Sequence, residues 1–179
     1  MRRVSLILIA MACVAAAPAA SRWTPKQAAC PLKQAPAGLS AEVVKPMLPG
    51  AAEDAEISDQ AAEQLANLAL TCAKQTKVGK ARLDAYIEMA TWQLTSAGLA
   101  PEVSARGIDP ATLGAIMNVG AGRANPSFET LSDADVTRMM VALKAKGVNV
   151  DVLDTDAWHV AGAWLEATSR AYRAGMPGK

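Results

Sequence analysis

The chain has 179 residues, is 51% hydrophobic but only 4% aromatic, and sets 18 basic side chains against 17 acidic ones. That near balance excludes the strong, clustered basic excess through which proteins hold nucleic-acid backbones. Of the three cysteines, Cys13 lies in a stretch that reads as cleaved; the other two and the single histidine cannot complete an ordinary zinc site, and the chain contains neither a CxxC for redox work nor a CxxCH for haem.

The first residues read as a secretory signal peptide over 1–19. Met1, Arg2 and Arg3 form a basic start, 4–14 is a short and mostly apolar run, and 15–20 is rich in small residues. The run is shorter than the roughly 20 residues a membrane-crossing helix needs, so no transmembrane segment is expected in the mature chain. Ala17, Pro18 and Ala19 form an A-x-A site, and cleavage there leaves Ala20 first. Loss of Arg2 and Arg3 then tips the charge balance slightly to the acidic side. Cys13, preceded by small residues, supports a competing lipoprotein reading. Ala10 weakens it by occupying a position where such sites carry a leucine-like residue. Both readings export the protein, to the periplasm or beyond.

Next comes a Pro-rich lead over 20–57, with Pro25, Pro31, Pro36, Pro46 and Pro49. Only short helical pieces fit between these prolines, near 25–30 and 40–45. Cleavage leaves two cysteines, Cys30 in the lead and Cys72 beyond it. An even pair in an exported chain predicts a disulfide.

From 58 to 179 the pattern is helical. The first helix, 58–77, gathers Ile57, Ala61, Leu65, Leu68, Ala69 and Cys72 on one face, with acids at its start and lysines at its end. Lys74, Lys77, Lys80 and Arg82 are the one local basic cluster, read as solvated helix surface. The second helix, 80–97, is expected to stop at Gly98. Leu83, Tyr86, Ile87, Ala90 and Leu94 form its main stripe, while Ala81, Ala85, Met89 and Trp92 form another on roughly the opposite side. A third begins at Asp109 and Pro110, a cap followed by proline in the first turn. A fourth spans 133–146 behind Ser132 and Asp135, and a fifth runs over 155–174. The alternating stretch 148–152 has no partner run and reads as an extended connection. The expected fold is all-α: a single helical-bundle-like domain of about five helices, with its lead stapled on by the disulfide.

Four features are candidates for chemistry. Gly120, Ala121, Gly122 and Arg123 resemble a phosphate-cradling turn, but a helix precedes them and Pro126 follows where a dinucleotide site needs a third glycine and a helix start. A helix stop is the better account. His159, the sole histidine, falls among charged residues on the last helix, opposite its apolar arc, which reads as a solvated position. Asn149, Asp151, Asp154 and Asp156 bring four oxygen-bearing side chains together, yet lack the glycine and terminal glutamate of a calcium loop; capping explains them better. Ala85, Met89, Trp92 and Trp164 are either core, if the second helix is sandwiched, or a surface for an unknown protein or a small apolar ligand. The expectation is an exported binding module without a cofactor or a metal. A competing enzyme would need Asp84, Glu88 or His159 to converge in one concave site.

Overall fold

The structure, a computed structural model, describes residues 23–128 and 132–174. The signal peptide expected over 1–19, Cys13 and the expected start at Ala20 lie outside the described residues. Among those described there are seven α-helices and no strand: α1 (Pro25–Gln34), α2 (Leu39–Val44), α3 (Asp59–Gln75), α4 (Leu83–Ala105), α5 (Pro110–Ile116), α6 (Asp133–Ala145) and α7 (Thr155–Arg173). The all-α expectation therefore holds, with two helices more than the five foreseen. The additional pair, α1 and α2, consists of the short helical pieces expected in the Pro-rich lead, with α1 running on through Pro31.

The lead is helical because each proline falls where a helix can absorb it. Pro25 occupies the first turn of α1, behind a capping box in which Thr24 and Gln27 satisfy each other's backbone N–H groups. Pro31 lies inside α1 and cannot donate to the Gln27 carbonyl four residues back. The Tyr86 hydroxyl donates to that oxygen instead, at 2.9 Å, from a ring with no exposed surface. Burial pushes the Tyr86 hydroxyl above its ordinary pKa. The predicted disulfide is present: Cys30 on α1 is bonded to Cys72 on α3, with Cα atoms 5.7 Å apart.

α4 is longer than the sequence reading allowed. It passes through Gly98 and Pro101, and the chain turns at Gly107, where φ is +81°. Gly98 is a crossing point and not a stop. A methyl group added there would lie 2.2 Å from the Ser40 carbonyl oxygen and 2.8 Å from Val44 Cγ1, so only glycine lets the α2 backbone rest on α4.

α4 is also the element on which the interior is organised. Its first half joins Trp23, Cys30, Leu39, Leu68, Cys72 and Met89 in one buried cluster. Its second half joins Ile108, Leu113, Leu143, Val160, Trp164 and Leu165 in another, to which α2 contributes Val44. A helix covered on several sides needs apolar residues all round, which is why two opposed stripes were visible on it. α7 runs antiparallel along α4, with Arg170 over the Trp92 ring and the Ser96 hydroxyl 2.6 Å from that of Thr168.

Candidate functional site

The second stripe of α4 is enclosed. Met89 and Trp164 are buried at 1% and 7% exposure, and Ala85 and Trp92 are partly buried. Arg170 lies over the Trp92 face at 4.8 Å from its centroid. Glu166 accepts from Arg170, from Arg173 at 3.0 Å and from the Phe128 backbone N–H at 2.8 Å, which binds the loop before α6 to this region. Ala85, Met89, Trp92 and Trp164 therefore do not form an open face, because α4 is sandwiched.

The polar residues considered for catalysis do not converge. Asp84 and Glu88 are exposed near the start of α4, and Glu88 borders an open depression of about 330 Å³ with Arg170 and Arg173. His159 is exposed near the start of α7. Since α7 runs antiparallel to α4, the 14 positions between His159 and Arg173 separate it from Glu88 by roughly 20 Å.

The glycine turn is closed from within. Asn125 is only 2% exposed; its side chain accepts from Gly120 N–H at 2.7 Å and donates to the carbonyls of Gly120 and Arg123. Ala124 N–H donates to the Asn118 side chain, and Arg123 N–H to the Gly120 carbonyl. The Gly120, Arg123 and Ala124 N–H groups are thus spent on the turn itself and do not face outward as a phosphate nest requires. Nearby, Asp154 caps α7 by accepting from Ala157 N–H at 2.8 Å, while Asp151 pairs with Lys144 at 3.0 Å. Among the described residues no three His, Cys, Asp or Glu side chains are grouped to hold a metal.

Among the open concavities, a groove of about 250 Å³ lies between α4 and α7, flanked by α1. Gln93, Ser96, Ala97 and Ala100 form one wall, Trp164, Thr168, Ala171 and Tyr172 the other, and Leu32 stands at the rim. The edge of the Trp164 ring reaches through to α5, where a methyl on Gly114 would approach its Cη2 to 3.3 Å. The ring is thereby anchored at its far end while lining the groove at its near one. Of the four candidate surface residues Ala85, Met89, Trp92 and Trp164, only Trp164 belongs here. Gln93, Ser96 and Thr168 were missed because they gain meaning only from the α4–α7 register, which no local pattern encodes.

No protein-family model, no curated protein and no solved structure matches the chain.

Proposed function

We propose that the protein is exported and acts by binding, with the groove between α4 and α7 as its binding site. The groove carries this reading: it is a concavity lined by an anchored tryptophan and small apolar residues, with a few polar atoms among them. The separation of Glu88 from His159 favours binding over acid–base catalysis. Export rests on the basic start, short apolar run and A-x-A site, and the Cys30–Cys72 bond is of the kind that oxidising compartments sustain.

Two measurements test this. Intact mass of protein recovered from the periplasm should correspond to a start at Ala20; a diacylglyceryl mass on Cys13 would replace the freely exported form with a lipid-anchored one. Native mass spectrometry of that same material should find a small-molecule adduct that Ala97→Trp loses, since the indole would fill the groove from an exposed position. Equal adducts in both forms, or none in either, would remove the groove from the reading.

A further inference from the structure

Resting on that binding reading, we infer that the groove takes a small, uncharged, flat apolar molecule that donates hydrogen bonds to the protein. No Asp, Glu, Lys, Arg or His lines it, so a charged ligand would lose its hydration without meeting a counter-charge. Its volume of about 250 Å³ lies below the usual range for drug-sized ligands and suits one or two fused rings against Trp164.

The polarity of the site follows from where its protons go. Thr168 Oγ1 donates to the Trp164 carbonyl at 2.7 Å, which uses its single proton. In its 2.6 Å contact with Ser96, Thr168 is therefore the acceptor and Ser96 the donor. Both hydroxyl protons are committed within the protein, and Ser96 can offer a ligand only lone pairs. Gln93 Oε1, one turn earlier on α4, is buried with no hydrogen-bond partner. Ala97, beside Ser96, has a carbonyl whose helical donor would be the N–H that Pro101 lacks. Acceptors thus cluster on one stretch of α4, beside the Gln93 amide and Tyr172 hydroxyl donors of the same groove, and a ligand N–H or O–H is the complement of that α4 stretch.

A free small molecule fits better than a protein partner. Leu32 and Tyr172 are the large exposed apolar side chains at the rim, whereas a stable protein interface covers about 800 Å² on each side.

The test titrates the isotope-labelled mature chain with three probes: indole, 1-methylindole and tryptamine. Indole should shift the amide resonances of Ala97, Thr168 and Ala171. Methylation removes its donor and should weaken binding about tenfold or more, since a site built around a hydrogen bond rejects the analogue lacking it. Tryptamine, a cation at neutral pH, should bind least. In Gln93→Met, indole and 1-methylindole should draw closer in affinity. Equal binding of indole and 1-methylindole by the unaltered chain would overturn the donor rule while leaving the groove as a site. Tryptamine binding as tightly as indole would overturn the neutral-ligand rule. No groove shifts with any probe would overturn the ligand class, while the binding reading itself stands or falls with the adduct that Ala97→Trp is expected to lose.

Discussion

Tyr86 and Gly98 each answer a problem posed by a residue far away in the sequence. Pro31 deprives the buried Gln27 carbonyl of its helical donor, and the Tyr86 hydroxyl supplies another. Tyr86→Phe should therefore destabilise the fold by about 1–3 kcal/mol, the cost of a buried acceptor left unpaired. Pro31→Ala restores an N–H at the missing position, so the loss measured by urea unfolding should shrink in the Pro31→Ala background. An equal loss in both backgrounds would show that the hydroxyl is not replacing the proline's donor. Gly98→Ala acts through space instead of polarity. Its methyl would meet the Ser40 carbonyl at 2.2 Å, a backbone atom that no rotamer change can move. The expected loss is about 1–3 kcal/mol or more, read from the same unfolding curves. An unchanged midpoint would mean that α2 does not rest on α4 at this point. His159→Ala is the contrast: an exposed position on α7, where a change within about 0.5 kcal/mol is expected.

At the scale of the helix, local signals were legible wherever the chain settles its own ends. Asp109, Ser132 and Asp154 cap α5, α6 and α7 as the sequence foretold, each accepting from backbone N–H groups two or three residues on. The interior of α4 was not legible. A glycine that ends a helix and one that lets another helix cross look alike in sequence, and Ser40 lies too far away to distinguish them. The prolines of the lead were likewise read as interruptions, because the donor that compensates Pro31 comes from α4. The caps make a prediction about pH. Asp109 is held below the usual carboxylate range mainly by the Thr112 hydroxyl, and Asp135 mainly by the Ser132 hydroxyl. A depressed folded pKa means that their contribution is present above the unfolded value of about 3.9 and is lost as pH falls through the folded one. Between about pH 5 and 2, Asp109→Asn and Asp135→Asn should each flatten the acid limb of the stability profile without steepening it elsewhere. An acid limb identical to that of the unaltered chain would show that the caps do not titrate with folding.

For the whole molecule, the decisive question is how strongly the N-terminal helices are tied to the rest. The Cys30–Cys72 bond closes a separation of 42 residues, worth about 4 kcal/mol in the chain-entropy account, against a typical domain stability of about 5–15 kcal/mol. The two helices within that loop are not held equally. Besides the disulfide, α1 is fixed by Gln27 donating to the Thr76 carbonyl at 3.2 Å and by Tyr86. α2 places Leu39 and Val44 at 2% and 1% exposure, and its backbone is seated on Gly98. Reduction should therefore release α1 first, while α2 remains in place until the domain unfolds as one. Hydrogen exchange of the reduced protein should accelerate across 25–34 well before 39–44, and the thermal midpoint should fall by on the order of 10 °C. Most helical signal should survive at room temperature, since α4 and α7 pack without help from the bond. Exchange that accelerates equally over both helices would mean that the disulfide, and not the Gly98 crossing, holds α2 down. An unchanged midpoint after verified reduction would show that the bond contributes nothing to the fold's stability.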